Sequence, residues 1–226
     1  SARIDFHDTS LPVHISLQAG TPFIPLDAEE SGLPVASLRY RVSNPSKSPV
    51  QVSIAFSIEN PVNSLLSPVP AGSAEARTNE IRQTTDLAGL FFHNPHLAAD
   101  DPGAGSFALA AQPDTKGRVT FLQGWPEGRW WNSVLLFWDD FAKDGALGPE
   151  TEKPGKVGAV CLQQSIAPGA SADYSFLLSW HFPNRTPERC GWHAPKGHER
   201  AIIGNHYTTR FQDAWDALSY AAKHLP

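Results

Sequence analysis

Leu38-Arg39-Tyr40-Arg41-Val42 and Val50-Gln51-Val52-Ser53-Ile54-Ala55-Phe56-Ser57-Ile58 alternate apolar with polar or small residues. A strand turns successive side chains to opposite faces, so a period of two marks a strand with one packed and one wet face. The join Asn44-Pro45-Ser46-Lys47-Ser48-Pro49 is rich in turn formers and too long for a two-residue hairpin. The two runs are expected to pair antiparallel with each other. Upstream, Val13, Ile15 and Leu17 alternate with His14, Ser16 and Gln18. Downstream, shorter strands are expected near 89–93, 107–111 and 119–122. Longer ones at 157–163 and 172–182 flank the turn signal Pro168-Gly169, and 60–80 reads as a polar, exposed connection. Strands with turns every ten or so residues give a mostly β fold, an antiparallel two-sheet β-sandwich.

Helix signals are confined to two places. A short helix is expected near 138–143, ending at Asp144-Gly145, where glycine suits a left-handed cap. A second is expected near 209–224, where Phe211, Ala214, Trp215, Leu218 and Ala222 repeat at helical spacing. Thr208 or Thr209 is expected to cap it.

The bulk numbers fit one domain over residues 1–226. Hydrophobic content of 41%, with seven Trp and twelve Phe, supplies a core, and twenty Pro with seventeen Gly favour turns over long helices. A net charge of −5 with no basic stripe speaks against nucleic acid. No apolar run is long enough to span a bilayer. Two cysteines do not make a disulfide framework, and Cys161, inside Val160-Cys161-Leu162, reads as a small buried hydrophobe. The sequence contains no Met and closes just after its last helix, which gives the expectation of a piece of a longer polypeptide.

Several constellations invite chemistry and none completes it. Asp139-Asp140 suggests a glycosidase pair, yet such carboxylates must face each other across a bond, and neighbours on a strand or helix diverge. The stretch Trp125, Trp130, Trp131, Phe137, Trp138, Phe141 suits either a sugar-stacking platform or core and interface packing. Pro126-Glu127-Gly128 makes part of it a loop. Cys190-Gly191-Trp192-His193 is half of a zinc site at most. Gly103-Ala104-Gly105 lacks a dinucleotide fingerprint's third glycine, and Gly169-Ala170-Ser171-Ala172 lacks the closing glycine of a nucleophile elbow. Asn184-Arg185-Thr186 matches a glycosylation acceptor, a pattern common by chance. No catalytic set, metal site or cofactor site is expected.

Four segments taken together resemble the glycoside hydrolase family 116, the non-lysosomal glucosylceramidases and related bacterial β-glucosidases. Thr21-Pro22-Phe23-Ile24-Pro25-Leu26-Asp27 with Ser31-Gly32-Leu33-Pro34 resembles its "SPFIPL(N/D)…DS.(L/I)P" stretch. Phe137-Trp138-Asp139-Asp140-Phe141 with Asp144-Gly145 resembles "FW.DF..DG". Trp180-His181-Phe182-Pro183-Asn184 is similar to "WHFPN", and His206-Tyr207-Thr208-Thr209-Arg210-Phe211 with Asp213-Ala214 resembles "(Y/H)YTTRF.DA". The ordered set covers nearly the whole chain.

The resemblance implies an N-terminal β-sandwich that packs on a following catalytic (α/α)6 barrel of the same polypeptide. It also implies that the retaining nucleophile and the acid/base lie in that barrel, so neither maps onto a residue here. The parent substrate it implies is a β-glucoside or glucosylceramide. Candidate contacts with the barrel or substrate are Trp130, Trp131, His181, Asn184, Arg185 and Trp192, which fall in loops or at strand ends rich in aromatic and polar groups. The competing readings are a stand-alone carbohydrate-binding sandwich and a purely structural domain.

Overall fold

The computed structural model describes residues 1–66, 68–113, 117–152 and 154–225. Among the described residues ten strands form two antiparallel sheets. The larger runs β1–β2–β3–β10–β7–β6–β5, built from β1 (Ala2–Phe6), β2 (His14–Gly20), β3 (Val35–Ser43), β10 (Ser171–His181), β7 (Ser106–Gln112), β6 (Ala88–His93) and β5 (Thr78–Gln83). The smaller is β4 (Val50–Glu59), β9 (Val157–Ile166) and β8 (Arg118–Leu122). The mostly β, two-sheet sandwich read from the sequence is the observed fold.

The expected β3–β4 hairpin is not. β3 pairs with β2 and β10, placing Tyr40 opposite Tyr174, whereas β4 pairs with β9, placing Ile54 opposite Leu162. The join 44–49 therefore crosses between sheets, and so does the turn at Pro168-Gly169. The two crossings are tied together by Asn44, 1% exposed, whose Nδ2 donates to the carbonyls of Ser48, Ile166 and Ala167 at 2.8, 3.0 and 3.3 Å. Period-two alternation names a strand's packed face without naming its neighbour, and both arrangements satisfy it.

Between the sheets lies a core of Val42, Leu90, Phe92, Leu109, Val160, Leu162, Tyr174 and Phe176. The Tyr174 hydroxyl donates across it to the Val52 carbonyl at 3.1 Å. Each sheet carries one helix on part of its outer face, giving four layers. Helix α1 (Ala28–Ser31) is a single turn on the chain between β2 and β3. Helix α2 (Ser133–Asp144) seats Phe137 on Leu122, Ala159 and Cys161 of the small sheet. It ends at Gly145, φ 70°, the left-handed cap expected there. Helix α3 (Ala214–His224) seats Ala214, Ala217, Leu218 and Ala221 on Val35, Phe91, Ala108, Ala110 and Leu177 of the large sheet.

Two further expectations change. The cap of α3 is Asp213, which accepts from the Asp216 amide at 2.8 Å; Thr208 and Thr209 belong to a separate 3-10 turn. The connection 60–80 is not uniformly exposed, since Asn60 and Val62 are fully buried and Ser73 nearly so. Asn60 donates to the carbonyls of Thr78 and His93 and to Asn79 Oδ1, which makes burying this polar stretch tolerable.

Candidate functional site

The six candidate residues divide between the two outer layers. Trp130 and Trp131 precede α2, 94% and 95% exposed, at φ 54° and 68°. Left-handed backbone is unfavourable for a residue with a Cβ, and two bulky ones in succession are uncommon. The loop is fixed from both ends: the Gly128 amide donates to Ser133 Oγ at 3.0 Å and the Asn132 amide to the Arg129 carbonyl at 3.2 Å. Gly128 is required here, because a Cβ would collide with the Asn132 side chain. The aromatic stretch divides by role. Trp125 stacks on Phe137 at 4.7 Å and Phe137 on Phe141 at 5.9 Å as packing. Trp130, Trp131 and Trp138 face solvent, with Val134 and Leu135 beside them on α2.

The other four candidates follow or close β10. His181, buried, donates from Nε2 to the Phe211 carbonyl at 2.9 Å; a carbonyl only accepts, so the proton sits on Nε2. Its ring meets Tyr207 edge-on at 5.8 Å. Asn184, also buried, donates to the carbonyls of Ala99 and Asp101 at 2.6 and 2.9 Å. Its amide is committed to holding two loops, which takes it out of use as a glycosylation acceptor. Arg185 is exposed, donating from Nε to Cys190 Sγ at 2.7 Å and from Nη1 to Asn205 Oδ1 at 3.0 Å. Asn205 in turn donates to the Phe182 carbonyl and the Tyr207 hydroxyl, both at 3.1 Å. Burial pushes the Tyr207 phenol above its ordinary range, with the Phe182 and Asn205 hydrogen bonds opposing. Trp192 is 63% exposed, its amide held by the Pro187 carbonyl at 2.9 Å. His181, Arg185 and the Asn205–Tyr207 pair thus form one network, Asn184 anchors its neighbour loop, and Trp130 and Trp131 lie on the opposite layer.

Beside this network runs a two-lobed cleft between the 61–66 loop, the 100–103 loop and the segment after β10. One lobe, of about 310 Å³, is lined by Asn63, Phe182, Asn184, Arg185 and Asn205. The other, of about 600 Å³, is lined by Asp100, Thr186, Glu188, Glu199 and Arg200. Arg189 borders both and donates to the Leu65 carbonyl at 2.6 Å. Asp101, missed in the sequence, builds the rim: it accepts from Ser64 Oγ at 2.6 Å and from the Gly103 amide at 2.7 Å. Its only sequence signal is the turn-forming Asp101-Pro102 dipeptide. Guanidinium donors beside carboxylates and carbonyls can bind a polar partner, and nothing in this arrangement activates a nucleophile.

The carboxylate pair does not assemble. Asp139 is exposed on α2, and Asp140 lies 3.8 Å from Lys143 Nζ on the same helix. Consecutive helix positions point about 100° apart, so the two cannot flank one glycosidic bond. Among the described residues, no group of three or more His, Cys, Asp or Glu is arranged to hold a metal ion, and no helix is long and apolar enough to cross a membrane. Cys190 belongs to the loop network through Arg185, and His193 is exposed.

A family model described as "beta-glucosidase 2, glycosyl-hydrolase family 116 N-term" matches residues 1–226. Among solved structures, the chain is similar to a protein described as a kojibiose phosphorylase from the human microbiome, at 6% identity and a TM-score of 0.38. That likeness covers 79% of this chain and 17% of the other.

Proposed function

The chain belongs to the N-terminal family of the family 116 glycosyl hydrolases, and on that premise we propose that it is a non-catalytic domain of a retaining β-glucosidase or glucosylceramidase. In this reading it packs on a following (α/α)6 catalytic barrel, stiffens it and walls one side of its substrate cleft. The observation that carries the reading is the whole-chain match to a family defined as N-terminal, which implies a following domain in the parent enzyme. The separated Asp139 and Asp140 are consistent with it, because retention needs carboxyl groups about 5–5.5 Å apart across the scissile bond.

Holding substrate against fixed carboxylates contributes to rate, so a wall that shifts is felt in turnover. Hydrolysis of an aryl β-glucoside by this chain alone is expected to be nil, against turnover by the polypeptide that includes the following domain. Turnover by this chain alone, lost on Asp139→Asn or Asp140→Asn, would overturn the reading. In the parent enzyme, Arg185→Ala breaks the link to Cys190 and Asn205 and is expected to lower stability or turnover.

A second reading, a carbohydrate-binding sandwich, is favoured by the exposed Trp130–Trp131 pair, whose indole faces suit the C–H side of a pyranose. It predicts a change in tryptophan fluorescence on titration with a β-glucoside, abolished in Trp130→Ala/Trp131→Ala.

A further inference from the structure

The loop Pro22-Phe23-Ile24-Pro25-Leu26 between β2 and α1 holds three apolar side chains out in solvent: Phe23 82%, Ile24 44% and Leu26 109% exposed. A flexible apolar loop would fold back onto the nearest core. This one is prevented from doing so by its own hydrogen bonds. Ser31 Oγ accepts from the Ile24 amide at 2.8 Å and donates back to its carbonyl at 3.0 Å. The Asp27 amide closes the turn onto Ile24 at 3.1 Å, and Asp27 Oδ1 caps the Glu30 amide at 2.9 Å. Leu26 sits at φ 67°, a left-handed position that a leucine adopts only when its surroundings impose it.

The base is bolted to the α3 layer. Arg210 donates to the Glu29 carbonyl at 2.6 Å and to Glu30 Oε1 at 2.8 Å, and the Tyr220 hydroxyl donates to the same Glu30 oxygen at 2.8 Å. His206 approaches Glu29 at 3.3 Å. An exposed apolar tip on a base tied by His206, Glu29 and Arg210 places apolar surface next to polar groups, as interfaces do. Its preorganisation removes the ordering cost that a mobile loop would bring to binding.

Which partner covers it follows from where α3 leads. Leu225, the residue after α3, and Ala221 line one groove of about 230 Å³ with Thr21 and Pro22, at the root of the loop. A segment continuing past Leu225 starts beside that loop, at high effective concentration, and on the layer opposite Trp130 and Trp131. We propose that the Phe23–Ile24–Leu26 knuckle, on its base held by His206 and Arg210, is the seat of the domain that follows in the same polypeptide. This rests on the reading of the chain as an N-terminal domain. It deepens that reading by assigning the primary contact to the α3 layer rather than to the tryptophans.

Hydroxyl-radical footprinting of the polypeptide that includes the following domain tests it. Phe23 is 82% exposed in this chain; covered to about a tenth of that in an interface centre, Phe23 and Leu26 are expected to oxidise about tenfold slower in the native than in the denatured polypeptide. Phe23→Ser/Leu26→Ser is expected to split a single thermal unfolding transition into two, as the domains uncouple. Denatured-like oxidation of Phe23 and Leu26, with Trp131 protected instead, would overturn the knuckle and leave the N-terminal-domain reading standing. Failure of the whole polypeptide to hydrolyse any β-glucoside would sink that reading whatever the footprint.

Discussion

At the scale of single residues, the loops are built by one repeated device. Asn44, Asn60, Asn94 and Asp101 each precede a proline, and each side-chain oxygen accepts from the amide two residues on, at 3.0, 2.9, 3.1 and 2.7 Å. Proline keeps the residue before it out of the helical region, which favours this turn. The three asparagines then spend their amide protons on acceptors of neighbouring strand ends and loops, as Asn60 does with Thr78 and His93 and Asn94 with Ser73 at 2.6 Å. Asn44→Ala removes the side-chain donor to the Ser48, Ile166 and Ala167 carbonyls at the double crossing and is expected to cost about 2–4 kcal/mol, read by urea unfolding. Cys161 carries a second expectation. Burial pushes its thiol up to about 11 from 9.0, and the thiol reaches the Gly145 carbonyl at 3.6 Å. Between those values the unfolded state loses its proton first, so stability falls as pH rises from about 9 towards 11, by up to about 2–3 kcal/mol. Near neutral pH the folded thiol stays protonated. A maleimide is expected to leave Cys161 untouched until the chain unfolds, which mass spectrometry of the labelled peptides would check.

At the scale of elements, α3 shows how much a cap does. Asp213 accepts from the Asp216 amide, and its other oxygen lies 3.5 Å from Arg82, whose guanidinium covers the Phe91 ring at 3.4 Å. Asp213→Ala is expected to destabilise by about 1 kcal/mol through the lost cap, while Asp213→Asn, which keeps an acceptor, loses only part of that; thermal unfolding separates the two. The threonines looked like the cap because they precede the apolar repeat. Yet Phe211 lies before the helix, buried against the sheet, and so extended the apparent period upstream. Strands were legible where one face is buried and one wet, as in β3 and β4. β1 and β5 escaped notice. β1 is exposed throughout and thus has no packed face to print a pattern, and Thr78–Gln83 carries only one aliphatic side chain, Ile81. Strand order was not legible at all, because pairing across sequence separations such as Tyr40 with Tyr174 is decided by sheet packing that no local window contains. The candidate site followed the same rule. Aromatic and polar loop residues were visible as types, but that His181 and Asn184 are buried pins, while Arg185 is a surface link, depends on contacts far along the chain.

At the scale of the molecule, the apolar features left uncovered among the described residues include Phe23–Leu26 beside α3 and Trp130–Trp131 before α2. Both have backbone in the left-handed region at non-glycine positions, so both are held where a relaxed chain would not leave them. That pairing of exposure with strain is what motivates the proposed binding roles, because selection for stability alone would remove it. The two indoles permit a direct test. Trp131→Gly gives up little burial, since the side chain is 95% exposed, and it relieves a conformation that costs an L-residue about 1–2 kcal/mol. Against this stands the larger unfolded-state freedom of glycine, worth about 0.5–1 kcal/mol. Stability of the chain is therefore expected to be unchanged or raised by up to about 1.5 kcal/mol, where removing a core tryptophan would lose about 3–5 kcal/mol. Urea unfolding measures this. A loss of several kcal/mol would make Trp131 a structural residue and count against the indole pair as a proposed binding surface.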